Sequence, residues 1–201
     1  MITIIDYDAG NIKSVEKAFL HLGQDVRITR DRDEILSASH VVLPGVGSFG
    51  DAMQHLKAYN LIPTIYDVVD KKIPFFGICL GLQLLFERSD ESKGVSGLGI
   101  LPGDICSIPS SAGLKIPHMG WNSLEITPGS KLFKDIELNP YVYFVHSYYL
   151  KAKNEADVAA RTWYSVSIDA AVEHDHVFAC QFHPEKSSQT GLQILKNFTE
   201  I

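Results

Sequence analysis

Cys79 stands between Gly77 and Gly81, at the point where an apolar run (Ile73 to Ile78) gives way to a helix-forming one (Leu80 to Glu87). This is a strand–nucleophile–helix turn, Gly-x-Cys-x-Gly, the thiol counterpart of the serine nucleophile elbow. Such a turn lifts the sulfur off the sheet and sets it at a helix N-terminus. Free N–H groups and the helix dipole there favour the thiolate, the reactive form. Far downstream runs Gln181-Phe182-His183-Pro184-Glu185. His183 and Glu185 stand two residues apart at an expected strand end, where extended spacing points both the same way. An imidazole can take the Cys79 proton, and a carboxylate can fix its tautomer and steady the imidazolium. Cys79, His183 and Glu185 are therefore the candidate catalytic residues.

A third signal is Pro44-Gly45-Val46-Gly47-Ser48-Phe49-Gly50, after one strand and before a helix. It belongs at the carboxyl edge of a parallel sheet, beside the elbow. An N–H from this loop, at Val46 or Gly47, could combine with that of Leu80 to hold a developing oxyanion. Each such donor contributes about 3–4 kcal/mol to barrier lowering. The loop lacks the Lys and Ser/Thr of a P-loop. Val46 resists the left-handed conformations its glycine neighbours allow. The loop can thus rest with its N–H turned away from the oxyanion, a device that would hold the site back.

The elements that position these groups alternate through the first half. Strands are expected at 2–6, 25–29, 40–43 and 73–78, and helices at 12–22, 31–38, 49–58 and 61–71, implying a parallel sheet covered on both faces. From Leu98 to Ile126, Pro and Gly break short β-rich runs into hairpins or an antiparallel edge. An aromatic strand follows at 141–150, then strands at 158–163, 168–173 and 177–182, and a helix at 188–199. The fold class is α/β, an open, mostly parallel sheet with an added antiparallel portion in the second half. No linker or repeat divides residues 1–201, so one domain is expected.

Hydrophobic residues are 45% and charged residues 21%, ordinary for a globular chain, and the net charge is −6. There is no basic stripe for nucleic acid and no apolar run near the ~18 residues that cross a membrane. The N-terminus reads as a strand and not as a signal peptide. Three scattered cysteines fit a reducing cytoplasm, with Cys106 and Cys180 as small buried residues. His21 and His55 fall on exposed helix faces, His174 and His176 in a turn, and His146 in the core or lining the site. The 87–93 charge run reads as a solvated helix end. No metal site and no cofactor is expected.

Pro44-Gly-Val-Gly, Gly77-Ile-Cys-Leu-Gly-Leu-Gln and His183-Pro-Glu closely resemble the class I, triad-type glutamine amidotransferases. Further blocks resemble one branch of that family: Ile4-Ile-Asp-Tyr-Asp-Ala-Gly-Asn, Pro44-Gly-Val-Gly-Ser-Phe-Gly, His118-Met-Gly-Trp-Asn122 and Tyr143-Phe-Val-His-Ser-Tyr148. That branch is the glutaminase subunits of histidine synthesis that feed ammonia to a separate (β/α)8-barrel cyclase. The resemblance implies that Cys79 attacks the side-chain amide of glutamine, releasing ammonia and leaving a glutamyl thioester for water to hydrolyse. It also implies that Gln83 contacts the glutamine, that Glu91 meets its α-amino group, and that backbone groups of Ser147 and Tyr148 hold its head. Asn11, Met119, Trp121, Tyr143 and Lys186 would face the cyclase, in a heterodimer. The cyclase would join the ammonia to a phosphoribulosyl nucleotide, giving imidazole glycerol phosphate and an aminoimidazole carboxamide ribotide. From residues alone, Trp121 is equally open to a core role. Two other readings remain: another class I glutaminase subunit, such as that serving pyridoxal phosphate synthesis, and a catalytically silent scaffold on the same fold.

Overall fold

The computed structural model describes residues 1–201. Thirteen strands and six helices occur in chain order. The first half runs β1 (Ile2–Ile5), α1 (Ile12–His21), β2 (Val26–Thr29), α2 (Arg32–Leu36), β3 (His40–Gly45), α3 (Phe49–Ala58), α4 (Leu61–Asp70), β4 (Phe75–Cys79) and α5 (Leu80–Leu84). The second half runs β5 (Arg88–Ser89), β6 (Gly103–Ser107), β7 (His118–Ser123), β8 (Glu125–Ile126), β9 (Tyr141–His146), β10 (Tyr148–Ala152), β11 (Val158–Tyr164), β12 (Val166–His174), β13 (Val177–Cys180) and α6 (Ser188–Thr199).

The main sheet has the order β2-β1-β3-β4-β13-β12-β10-β6-β5, with β11 and β8 continuing from β12. From β2 to β13 all neighbours are parallel; β13 to β12 and β12 to β10 are antiparallel. The parallel strands are buried on both faces, so their apolar runs are continuous and adjacent residues feed opposite cores. Phe75 packs with Ile35, Phe49, Leu56 and Ile65 of α2, α3 and α4. Phe76 packs on the other face with Phe19 of α1 and Phe198 of α6. Asp31 caps α2 by accepting the Glu34 N–H at 2.9 Å. Ser48 caps α3 by accepting from Asp51 at 3.3 Å, which fixes the far end of the 44–50 loop.

The aromatic run at 141–150 is two strands, not one. Tyr141–His146 pairs only with β7 in a separate two-stranded sheet; the chain then turns at Ser147 and Tyr148–Ala152 rejoins the main sheet. The 87–93 run is not a helix end: Arg88–Ser89 forms β5 beside β6. Cys180 is fully buried, but Cys106 is only partly so. His21 and His55 are exposed, and the His174 ring bonds Asp157 at 2.9 Å. No helix is long and apolar enough to cross a membrane.

Candidate active site

The carboxyl ends of β1, β3, β4 and β13 converge, and the site is built from the segments that leave them. β4 is buried throughout and ends on Cys79. That residue has φ 56° and ψ −107°, a backbone that a side-chain-bearing residue adopts only under strain. The flanking glycines are required by contact rather than by φ. A Cβ on Gly77 would lie 2.7 Å from the Gly81 carbonyl oxygen, and one on Gly81 would overlap the Leu43 carbonyl oxygen. The elbow can close only with hydrogen at both positions. The helix after it has a single short turn, Leu80–Leu84, instead of extending to Glu87. Its contribution to the sulfur is therefore local N–H groups more than a summed dipole.

β3 runs beside β4 with Gly45 opposite Cys79. Beyond it, Val46 is partly exposed and Gly47 takes φ 104°, open only to glycine at low cost. Val46 is not in the left-handed region, as its branched side chain favours. Its Cγ2 would meet a Cβ on Gly10 at 2.6 Å, so a larger residue there would have to displace the Val46 side chain. Tyr7, buried beneath, donates to the Pro44 carbonyl at 2.8 Å. Burial, and then the charge at Cys79, push its phenol above the ordinary range.

β13 ends at Cys180, short of the expected Phe182, and His183 leads into a 3-10 turn over Pro184–Lys186. His183 and Glu185 meet across this turn rather than along an extended strand. The His183 Nδ1–H donates to Glu185 Oε1 at 2.8 Å, with side chains 1% and 0% exposed. Burial alone would lower the imidazole's pKa. Hydrogen bonding and charge from Cys79 and Glu185 outweigh it and raise the pKa to about 10. The ring's other nitrogen, Nε2, is buried with no hydrogen-bond partner of standard geometry. Cys79 and His183 line the same cavity, as a thiol nucleophile and its base must.

Cys79, His183, Val46, Gly47 and Leu80 line one cavity of about 410 Å³, and so do Gln83, Glu91, Ser147 and Tyr148. This volume is of the order that small-molecule sites occupy. Glu91 Oε2 accepts the Phe49 N–H at 2.7 Å, so a charged run reaches the start of α3 and fixes one carboxylate oxygen there. Gln83 is partly committed to the protein: its Nε2 donates to the Tyr148 carbonyl at 3.2 Å and to Gln181 Oε1 at 3.0 Å. Gln181 in turn directs Nε2 at the Cys79 sulfur, 3.8 Å away. Sequence reasoning assigned Gln181 no role, though its place in the Gln-Phe-His-Pro-Glu run was the available signal.

His146 also lines the cavity. Its Nδ1 bonds the Tyr148 carbonyl at 2.8 Å and its Nε2 meets His118 Nδ1 at 2.9 Å. Burial lowers His146 to about 3 and His118 to about 4, so both rings are neutral at physiological pH.

Three of the five residues expected at a docking face, Asn11, Trp121 and Tyr143, join the triad through a chain of contacts. Trp121 pairs with Tyr143 across β7–β9, ring centroids 6.1 Å apart. The Tyr143 carbonyl accepts the His183 N–H at 2.9 Å, and Asn11 Nδ2 donates to Glu185 Oε1 at 2.5 Å. Met119 lies on the same strand, and Met119 and Trp121 are 62% and 52% exposed. Lys186, also exposed, adjoins Glu185 in the 3-10 turn. A larger cavity of about 810 Å³ lies between the 126–138 segment and the end of α6. Neither cysteine nor histidine lines it, so it offers no comparable chemistry.

The family model described as "Glutamine amidotransferase class-I" matches residues 3–201. Among curated proteins, the chain is 46% identical over 201 residues to "Imidazole glycerol phosphate synthase subunit HisH" of Methanocaldococcus jannaschii, covering 100% of both chains. It is 49% identical over 202 residues to the protein of that name from Methanothermobacter thermautotrophicus, covering 100% of this chain and 98% of the other. Among solved structures, a "glutamine amidotransferase" superposes with TM-score 0.78 at 17% identity, covering 100% and 98% of the two chains. A chain of PurLQS from Thermotoga maritima superposes with TM-score 0.74 at 18% identity, covering 99% and 97%. At these identities the structures bear on the fold alone.

Proposed function

The chain belongs to the class I glutamine amidotransferases, in the branch of the imidazole glycerol phosphate synthase subunits HisH, and we infer that its site hydrolyses glutamine to glutamate and ammonia. The observation that carries the mechanism is the buried His183–Glu185 pair at the cavity that Cys79 lines. Cys79 and His183 face a common cavity, and the Glu185 carboxylate holds the far side of the imidazole at 2.8 Å.

In this reading the Cys79 thiolate attacks the side-chain amide carbon. The carbonyl π electrons move to oxygen, where the N–H of Leu80 and one from the Val46–Gly47 peptide region stabilise the charge. Imidazolium His183 gives its proton to the amide nitrogen, which leaves as ammonia, and the carbonyl re-forms as a glutamyl thioester. Neutral His183 then takes a proton from water, whose oxygen attacks the thioester carbon. Collapse expels the thiolate and leaves glutamate. Glu185 fixes the tautomer and stabilises the imidazolium throughout. Glu91, through the oxygen that Phe49 does not hold, would meet the α-amino group, with Gln83 and the Ser147 and Tyr148 backbone around the rest. Gln83 acts at least partly through Gln181 in this scheme.

The ammonia goes to a cyclase partner. We take that partner to be a (β/α)8 barrel in a heterodimer that makes imidazole glycerol phosphate and aminoimidazole carboxamide ribotide. Its docking face would run over Asn11, Met119, Trp121, Tyr143 and Lys186. Residues 1–201 act as one domain, in a reducing cytoplasm that the free cysteines suit. The loop at Val46 keeps the isolated chain slow until the cyclase and its nucleotide dock. A glutaminase of another pathway is disfavoured by the names of the full-length relatives.

The test is glutamate release by the chain with its cyclase and nucleotide ligand, compared with Cys79→Ala. Loss of release in the variant supports the reading. Release at the wild-type rate from Cys79→Ala rules it out.

A further inference from the structure

Asn11 occupies the N-cap position of α1 with φ 71° and ψ 0°. Asparagine is favoured at that position because its side-chain oxygen can accept an N–H from the first helical turn. Here it makes no such bond. Its side chain leaves its own helix and crosses to the β13 end, where Nδ2 donates to Glu185 Oε1 at 2.5 Å. The direction of this bond is fixed by chemistry, since an ionised carboxylate only accepts and only the amide nitrogen can donate.

Glu185 Oε1 therefore takes two donors, His183 Nδ1–H at 2.8 Å and Asn11 at 2.5 Å, while Oε2 is buried with no partner. Two donors on one oxygen pin the carboxylate against rotation and keep Oε1 toward the imidazole. The second donor is a neutral amide, so it draws less on the negative charge than a second cation would. The loop that carries Asn11 is itself held. Arg30 bridges Asp6 and Asp8 at 2.9 and 2.8 Å and stacks 4.0 Å over the Tyr59 ring, while Tyr59 donates to Asp8. Gly10 lies directly under Val46.

We propose that Asn11 is a positioning residue for the hydrolysis, acting through Glu185 to hold the His183 imidazole in line with Cys79. This role is additional to any contact Asn11 makes with a partner, and it rests on the triad reading above.

Two variants test it, both compatible with a positive φ. Asn11→Gly deletes the donor. Asn11→Asp keeps the shape and replaces the donor with a carboxylate. Glutamate release is measured in the complex with cyclase and nucleotide, over a titration to saturating cyclase and across pH. At saturation kcat should fall about 10- to 100-fold in Asn11→Gly, the worth of a hydrogen bond to a charged group, with KM for glutamine within about twofold. Asn11→Asp should be slower still near pH 8 and regain activity as pH falls, because a proton shared between the two carboxylates restores a donor at Oε1. If Asn11→Gly keeps the wild-type kcat and pH profile and only needs more cyclase to saturate, Asn11 is a docking contact and the proposal is wrong. Cys79→Ala run alongside separates the two levels. Undiminished release from it removes the triad reading, whereas its inactivity beside a fully active Asn11→Gly removes only the role given to Asn11.

Discussion

Gly81 lies so close to Leu43 that a single added methyl would overlap the Leu43 carbonyl oxygen. This contact, more than any property of the sulfur, sets the shape of the elbow. It brings α5 down onto β3 and leaves Cys79 at φ 56°. Gly81→Ala must displace backbone on one side or the other. It should lower the unfolding free energy by about 1–3 kcal/mol or more, the range of overpacked interiors, and abolish glutamate release. Urea denaturation of the variant checks the first part. A stability equal to wild type would mean the elbow is not closed against β3.

The strain at Cys79 makes a separate prediction. Cys79→Gly and Cys79→Ala both remove the sulfur, but glycine tolerates the elbow's backbone and alanine does not. Cys79→Gly should be the more stable of the two by about 1 kcal/mol, reversing the usual order in which glycine is worse. Paired chemical denaturation decides it.

Glu185→Gln keeps the side-chain shape and removes the charge that supports the imidazolium. Glutamate release at saturating glutamine and partner should fall by about 10⁴-fold, with a smaller effect on KM, as loss of an orienting carboxylate does in other triads. A loss below tenfold would reduce Glu185 to a packing residue.

The histidines predict the pH dependence of stability. His183 is raised to about 10 against an unfolded value of 6.5, so the folded chain holds more protons between those values. Its contribution is full below about pH 6.5 and is lost as pH rises toward 10. His146 and His118 are lowered to about 3 and about 4 by burial. The unfolded chain takes up protons first as pH falls, so stability is lost on descending from about pH 6.5 through that range. Unfolding free energy should peak near neutrality. His183→Gln should flatten the alkaline limb and leave the acid limb in place, as measured by urea midpoints across pH.

At the loop, Val46→Gly removes the branched side chain that resists rotation of the 46–47 peptide. It should raise glutamate release by the chain without its cyclase, narrowing the gap to the complex. An unchanged partner-free rate would show that Val46 does not hold the loop back. At the docking face, Trp121→Ala removes an exposed indole, so stability should change little. Affinity for the cyclase should fall by about 2 kcal/mol or more if the residue is an anchor.

The parallel half of the fold was readable because strands buried on both faces are unbroken apolar runs, as at Phe75 and Phe76, each ended by a turn signal. The break at Ser147 was not. Inward and outward residues keep alternating across it, and no Gly or Pro marks where the chain leaves one sheet for another. Cys79, His183 and Glu185 stood out by type and by strand-end position, although the 3-10 turn that brings the last two together was not foreseen. Glu91 looked like part of a solvated charge run, since the Phe49 N–H it accepts belongs to a helix 42 residues earlier. The contacts of Asn11 with Glu185 and of Gln181 with Cys79 join loops from different strands, and no local pattern encodes such pairs.

The central claim is that glutamine chemistry runs through the sulfur of Cys79. A chloroketone analogue of glutamine, incubated with the complex and followed by peptide mass mapping, tests this most directly. One label per chain on Cys79, slowed by added glutamine and accompanied by loss of glutamate release, is the predicted result. Labelling of Cys106 or Cys180 instead, or of Cys79 without protection by glutamine, would contradict it.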